Sequence, residues 1–434
     1  MSYIRCSITF KLTIFILIIC NNAPLLRAAE QPHQFSISKQ NDNWTISHNN
    51  KPYYIRGAVG WADHKLLKSC GANSVRTRAS RRNLDKAVEH GLFAMAGLPV
   101  RGERNGMNWD DERMVEEQKQ RVLQIVKELK NHPALMCWAI GNELDWIPPG
   151  HPYNPKLWIR LNDIAKAIKT IDPDHPVLTV VGTGKFEQKI KLIAQDCRDM
   201  DLLGINTYGD IQKVSQLANT HWPKPYVIAE WGPTGHWQVP KTTWGAPIEQ
   251  TSSEKAQVYF DRYFNVISKY KSNCLGSFVF LWGEKQETTH SWYGMFRDGM
   301  KTEAIGVMQY AWSGTWPDNR APAVLGINIA DFDNKKNIRL QAGINYPAHV
   351  ICYDVDHDAL IYEWDIRPEV KIPSNSYAGS MEKSAQKIPS KIKKADTSHI
   401  QFTTPGNKGP YRLFVQIKDS HGNAGYGNIP FYVE

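Results

Sequence analysis

Short apolar runs alternate with amphipathic stretches between residues 53 and 316. The amphipathic stretches carry apolar residues every three or four positions, as helices do. Eight apolar runs occur, and they read YYIRGAV, NSVRT, LFAMAGLPV, ALMCWAIGN, VLTVVG, LLGINTYG, YVIAEWG and GSFVFLWG. Strands that are apolar on both faces and alternate with helices are typical of a parallel sheet. Eight of them predict an α/β fold, a (β/α)8 TIM barrel over residues 53–316.

Both flanks of this pattern change to the alternation of period two that is typical of strands. Residues 30–52 predict a small hairpin, with Asn49 and Asn50 at its turn. Residues 320–434 follow a Pro-containing linker and predict a small all-β sandwich, in which DVDHDALIYEW and YRLFVQIKDSHGNAG resemble an immunoglobulin-type or PKD-like module. The acidic DVDHD segment could hold calcium, although a solvent-exposed turn is the favoured interpretation.

The first 29 residues have the pattern of a signal peptide. Arg5 and Lys11 precede the apolar run LTIFILIIC, which is too short to span a bilayer, and the small residues Ala28 and Ala29 follow. Cys20 raises the alternative of a lipoprotein, but Ile19 stands where a small residue is needed. We therefore expect a secreted, periplasmic or cell-surface protein with no integral membrane span after signal removal.

Composition narrows the classes of function. An apolar content of 42% supports a sizeable core, and the net charge of +9 is spread diffusely, so no nucleic-acid partner is expected. The five cysteines beyond residue 29 are far apart and mostly lie in apolar segments, which predicts core thiols. No CxxC, HxH or HExxH motif occurs, and GAVGWAD lacks the GxGxxG pattern. We expect neither a metal nor a cofactor in the catalytic site.

The ends of the predicted barrel strands carry polar and aromatic side chains. Active sites of such barrels lie at the carboxyl ends of the strands, so these side chains share one mouth. Two carboxylates there, Glu143 after strand four and Glu230 ending strand seven, form the pair that a retaining glycosidase needs. The other strand-end residues are Arg76, Asn142, Tyr208, Trp231 and Trp282.

The segments NSVRT, NHPALMCWAIGNE, YVIAEWG and FVFLWG resemble the clan A retaining glycoside hydrolases, above all the barrel of family 2, the β-galactosidase and β-glucuronidase family. The resemblance implies that Glu143 is the acid/base, Glu230 the nucleophile and Asn142 the ligand of the sugar 2-hydroxyl. It also implies that Arg76 and Tyr208 keep the nucleophile ionised and that Trp282 forms a platform under the sugar. We expect Trp231 and His236 to contact substrate as well.

The chain departs from that family in the order of its domains. Family 2 exo-enzymes carry β-domains before the barrel, whereas here the sandwich follows it, so their sugar specificity cannot be transferred. The sequence predicts a retaining β-glycoside hydrolase whose partner is a β-linked glycan such as a β-glucan. Two alternatives stay open: a transglycosylase that uses the same residues, and a non-catalytic glycan-binding or surface protein.

Overall fold

A computed structural model of the protein describes residues 35–147, 153–330, 337–370, 382–389 and 392–434. The described residues all belong to one compact unit. The predicted signal peptide, residues 1–29, lies outside the described residues and stays a prediction.

An antiparallel sheet of three strands precedes the barrel: β1 (Phe35–Gln40), β2 (Asn43–His48) and β3 (Lys51–Tyr53). Two tight turns connect them, Asn41-Asp42 and Asn49-Asn50, and all four turn residues have positive φ. Asn and Asp tolerate this left-handed conformation better than other side chains do. The predicted turn at Asn49-Asn50 is confirmed, but the hairpin has a third strand.

Eight parallel strands of the described residues close into the predicted barrel: consecutive barrel strands pair with each other, and the last pairs with the first. Strand β7 is buried at all six positions, as a strand with helices on one side and the barrel interior on the other must be. The strands are β4 (Ile55–Gly60), β5 (Ser74–Arg78), β6 (Phe93–Leu98), β7 (Leu135–Ile140), β8 (Val177–Val181), β9 (Leu202–Asn206), β10 (Tyr226–Trp231) and β11 (Cys274–Trp282).

In the described part of the chain, eight α-helices surround the barrel, and their apolar faces pack on the strands. Helix α7 begins with a reciprocal capping box between Thr251 and Glu254, which satisfies two backbone N–H groups at its first turn. The helices are α1 (His64–Ser69), α2 (Arg81–Glu89), α3 (Glu112–Leu129), α4 (Lys156–Ile171), α5 (Phe186–Asp196), α6 (Ile211–His221), α7 (Ser252–Asn265) and α8 (Glu303–Ser313).

The barrel interior has its own apolar core, separate from the layer between strands and helices. Met95, Met136 and Leu178 belong to this interior core, together with Phe35 and Ile46 of the N-terminal sheet. A backbone hydrogen bond from Trp44 to Ser272 also joins the sheet to the segment before β11. Because the sheet packs on the interior core at one end, the opposite end is left for the site.

Beyond the short hairpin β12 (Phe296–Arg297) and β13 (Met300–Lys301), two four-stranded sheets form the predicted C-terminal sandwich. Its core is a cluster that includes Ile366, Phe402 and Phe431. The orders are β14-β16-β19-β18 and β15-β21-β20-β17, with β14 (Ala323–Ile329), β15 (Arg339–Leu340), β16 (Asn345–Tyr353), β17 (Ile361–Pro368), β18 (Ile392–Lys393), β19 (His399–Thr403), β20 (Gly409–Lys418) and β21 (Ala424–Val433).

The sandwich packs on the first turn of α7. The hydroxyls of Ser252 and Ser253 accept hydrogen bonds from the backbone N–H groups of Tyr426 (3.0 Å) and Val324 (2.7 Å). Two consecutive serines at the start of the helix thus accept from strand N–H groups that burial would otherwise leave unpaired.

The predicted core thiols are confirmed: Cys70, Cys137, Cys197 and Cys274 are buried, and Cys352 is half-buried, all as free thiols. Among the described residues, no helix combines the length and apolar character that crossing a bilayer requires.

Candidate active site

Glu143 projects from a tight turn directly after β7. Gly141 has φ +68°, and a Cβ there would lie 2.6 Å from the Leu144 side chain, so only glycine fits. Glu143 itself has φ +48°, and its backbone N–H donates to Val180 at the end of β8 (2.8 Å). A left-handed non-glycine residue is uncommon and concentrates at functional sites. The turn therefore aims Glu143 into the barrel mouth, directly after a strand that is wholly buried.

Glu230, the second carboxylate, lies at the end of β10 with 18% of its side chain exposed. The Tyr208 hydroxyl donates to its Oε1 (2.7 Å), and Arg76 Nη1 donates to its Oε2 (3.3 Å). The expectation that Arg76 and Tyr208 reach Glu230 is confirmed. A guanidinium and a phenol aimed at one carboxylate favour its charged form, which a nucleophile requires.

Asn206, at the end of β9, joins the two carboxylates through one hydrogen-bond network. Its Nδ2 donates to Glu143 Oε1 (2.7 Å) and to Asn142 Oδ1 (3.0 Å), while its Oδ1 accepts from Arg76 Nη1 (3.1 Å). Arg76 Nη2 also donates to Asn142 Oδ1, so the arginine contacts both Asn142 and Glu230. The network fixes the relative positions of Glu143 and Glu230.

Burial is the largest influence on the pKa of Glu230 and raises it above the usual value of a glutamate. The nearby carboxylate of Glu143 raises this pKa further, while Arg76, Tyr208 and Lys285 oppose the rise. Burial and the charge of Glu230 also raise the pKa of Tyr208 well above 10, so the phenol keeps its proton and stays a donor.

Phe280, not Trp282, is the aromatic side chain of β11 at the mouth. The Phe280 ring lies 6.4 Å from the Tyr208 ring and 5.7 Å from the Tyr293 ring. Trp282 is fully buried on the helix side, where it packs edge-on against Phe296 and its Nε1 donates to the Asp63 carbonyl (3.0 Å). The assignment of Trp282 as a sugar platform is wrong in this structure, because no face of the indole is open.

Trp231 also lies away from the mouth. It follows Glu230, and neighbouring residues of a strand point to opposite faces. Its ring is fully buried in the layer between barrel and helices, stacked on Tyr263 (6.3 Å) and edge-on to Tyr259 (5.6 Å) of α7. The predicted role in substrate binding is therefore wrong, and Trp231 anchors α7 to the strand that carries Glu230.

His236 lies beside a charged pair on the loops after β10 and β11. Its Nε2 is 3.4 Å from Glu287 Oε1, and Lys285 Nζ is 2.5 Å from Glu287 Oε2. Burial alone would raise the pKa of Glu287, but the neighbouring His236 ring and the charge of Lys285 leave this pKa lowered. Lys285 also sits 5.5 Å above the Phe280 ring, so this cluster borders the mouth.

Two exposed indoles flank the same face. Trp61, in the loop after β4, is 64% exposed, and Trp237, in the loop after β10, is 46% exposed. The Trp237 ring lies edge-on to Tyr208 at 5.6 Å. Exposed indoles beside a polar cleft are the surfaces on which sugar rings stack.

The sandwich supports the loop after β11 through a buried polar network. Glu249, before α7, accepts from Lys255 Nζ (2.5 Å), from Thr289 (2.6 Å) and Ser291 (2.9 Å) of this loop, and from Asn428 of β21 (2.7 Å). Among the described residues, no hydrogen bond or ion pair joins residues 320–434 to Glu143 or Glu230. The described part of the sandwich therefore supports the loop through hydrogen bonds and supplies none to the two carboxylates.

Comparison with known proteins places this geometry in a family context. The family model described as "Glycosyl hydrolases family 2, TIM barrel domain" matches residues 51–304. A β-glucuronidase of Streptococcus agalactiae serotype V is 25% identical over 244 residues, which cover 45% of this chain and 40% of the relative. A β-glucuronidase of Chlorocebus aethiops is 21% identical over 249 residues, 49% of this chain and 37% of the relative. The chain thus spans about two fifths of these relatives' length.

Among solved structures, β-glucuronidase 2 of Bacteroides uniformis, covalently bound to cyclophellitol-6-carboxylate aziridine, matches with a TM-score of 0.50 and 15% identity. The match covers 92% of this chain and 48% of that chain. At this identity the likeness concerns the fold alone.

Proposed function

The chain belongs to glycosyl hydrolase family 2, and from this premise we propose that it is a retaining β-glycoside hydrolase. The observation that carries the proposal is the network at the mouth: Arg76 and Tyr208 donate to Glu230, and Asn206 holds Glu143 beside them. A pair of ordered carboxylates with different partners is what double displacement requires.

In the first step Glu230 attacks the anomeric carbon, and the bond from that carbon to the leaving oxygen breaks as Glu143 gives the oxygen its proton. In the second step Glu143 takes a proton from water, the water oxygen attacks the anomeric carbon, and Glu230 leaves as a carboxylate. Two inversions at one carbon return the β-anomer. A sugar hydroxyl in place of water would give transglycosylation with the same residues.

For the sugar we propose a β-glucuronide ahead of the β-glucan that the sequence favoured. The support is that the two relatives described above are β-glucuronidases. Lys285, which already pairs with Glu287, borders the mouth above Phe280. In this proposal the same ammonium group also pairs with the carboxylate of the uronate. We further propose that the protein is exported from the cytoplasm, because residues 1–29 have the pattern of a signal peptide.

The test compares 4-nitrophenyl β-D-glucuronide with 4-nitrophenyl β-D-glucoside on the purified protein. We expect cleavage of the glucuronide, with the β-anomer appearing first in proton NMR, and loss of activity in Glu230→Gln. Glu284→Gln is the matched control, because Glu284 is an exposed carboxylate on the same face whose Oε1 bonds the Gly299 N–H (2.7 Å).

Each outcome decides a different part of the proposal. Equal or faster cleavage of the glucoside would overturn the sugar assignment and leave the mechanism standing. An α-anomer as first product, or full activity of Glu230→Gln, would overturn the retaining mechanism itself.

A further inference from the structure

A group of acidic side chains gathers where the linker from the barrel meets the sandwich. We call it the acidic junction and define it as Asp354, Asp356, Asp358, Asp419 and His421. Carboxylate oxygens of Asp354, Asp356 and Asp358 lie within 4.8 Å of one another, and oxygens of Asp358 and Asp419 lie within 4.8 Å of a His421 ring nitrogen.

Three segments of chain converge on the acidic junction. Residues 354–358 form the turn between β16 and β17, and residues 419–423 form the turn between β20 and β21. The linker contributes Asn319, which donates to Asp358 Oδ2 (2.6 Å), and the backbone N–H of Arg320, which donates to Asp356 Oδ2 (2.7 Å). The junction therefore joins the linker to both turns.

Asp354 has one oxygen that these contacts do not satisfy. The residue is only 7% exposed, and its Oδ1 accepts from the N–H groups of Asp356 (2.9 Å) and Asp358 (3.1 Å). Its Oδ2 is buried and has no hydrogen-bond partner among the described residues. A buried carboxylate oxygen without a donor is costly, so it points to a missing positive partner.

The charge of the junction leads to the same conclusion. Among the described residues, the only base within ion-pair distance of these carboxylates is His421, whose Nδ1 lies 3.2 Å from Asp358 Oδ2. Carboxylates gathered at this spacing repel one another unless a cation lies between them.

We propose that Asp354, Asp356 and Asp358 bind a calcium ion. Ca²⁺ takes six to eight oxygen ligands in flexible geometry, and carboxylates at alternate positions of one turn supply them, whereas Mg²⁺ demands a near-ideal octahedron. The interpretation of DVDHD as a solvent-exposed turn is wrong for Asp354. The bound ion would stabilise the contact between the linker and the sandwich.

The test measures the melting temperature of the full chain after chelator treatment, while CaCl₂ is added from roughly 10⁻⁷ to 10⁻² M, which spans the affinities of known sensor and extracellular-module sites. We expect the melting temperature to rise with Ca²⁺ and calorimetry to give one site. Asp354→Asn should weaken binding at least tenfold. Asp318→Asn is the matched control, because Asp318 is exposed on the same linker and is not part of the acidic junction.

Asp356→Asn provides a second variant, since Asp356 is exposed and its replacement is the least disturbing to folding. It too should lose affinity, with an unchanged circular dichroism spectrum. The proposal would be overturned if Ca²⁺ did not raise the melting temperature, if Mg²⁺ raised it equally, or if Asp356→Asn bound Ca²⁺ as tightly as the parent protein. Tighter binding of Zn²⁺ would also overturn it, because His421 would then be the principal ligand.

Discussion

Tyr208→Phe removes one hydroxyl from the candidate nucleophile and leaves the aromatic ring in place. The lost contact is the 2.7 Å hydrogen bond to Glu230 Oε1, a bond to a charged group with little exposure to water. Such a bond is worth about 1.5–3 kcal/mol. At about 1.36 kcal/mol per unit, its loss raises the pKa of Glu230 by roughly 1–2 units.

The direction of the effect on activity follows because Glu230 must be ionised to attack the anomeric carbon. Activity disappears as pH falls through the pKa of Glu230, so a higher pKa moves the acidic limb of kcat/KM to higher pH. We expect that limb to shift upward by roughly 1–2 pH units. Below the shifted limb, the variant should be about tenfold to a hundredfold slower than the parent enzyme.

The measurement is kcat/KM for an aryl glycoside between pH 4 and 9, beside the control Tyr293→Phe. The Tyr293 ring lies 5.6 Å from that of Tyr208, but its hydroxyl accepts from the His236 N–H (3.4 Å) and does not contact Glu230. The reasoning fails if the acidic limb of Tyr208→Phe stays in place, or if Tyr293→Phe moves it equally.

Three further substitutions test other parts of the account. Glu143→Ala should slow cleavage of a substrate with a poor leaving group by about 10²–10⁴, and azide should rescue an activated aryl glycoside as the β-glycosyl azide; unchanged turnover would refute the acid/base assignment. Trp282→Ala should cost about 3–5 kcal/mol in urea unfolding, whereas a rise in KM at unchanged stability would restore Trp282 as a sugar platform. Glu249→Gln should destabilise the fold by about 3–5 kcal/mol, because it leaves Lys255 buried without its charged partner; unchanged unfolding would refute that role.

The barrel could be predicted because every barrel strand coincides with a short apolar run, and such runs can be recognised in the sequence without knowledge of tertiary contacts. The same runs fix where each strand ends, so Glu143, Glu230, Arg76 and Tyr208 could be assigned to one mouth. Asn206 ends β9 in the same way and follows from the same rule, although the sequence analysis did not single it out.

Side-chain direction was harder to predict than strand position. Phe280 pairs with Val59, but Trp282 pairs with Gly60, so one strand advances two residues while its neighbour advances one. This irregularity turns Trp282 away from the face that Phe280 occupies. Simple alternation puts both residues on one face, which is why the sequence pointed to the wrong aromatic side chain.

The cluster of Lys285, Glu287 and His236 illustrates what a linear pattern cannot give. His236 lies in the loop after β10, and its partners lie in the loop after β11, where no periodicity fixes the backbone. Their contacts depend on the network behind the loop, in which Glu249 holds Thr289 and Ser291. The sequence placed His236 at the site, but it indicated neither Lys285 nor Glu287 nor their contacts with one another.

The most direct test of the central claim is to trap the covalent intermediate. The enzyme is incubated with a 2-deoxy-2-fluoro β-glycoside of the sugar it cleaves, carrying a good leaving group, and its proteolytic peptides are then weighed by mass spectrometry. The account predicts one fluoroglycosyl group, attached to the peptide that contains Glu230 and absent from the peptide that contains Glu143. An adduct on any other residue, or hydrolysis with inversion and no adduct, would contradict it.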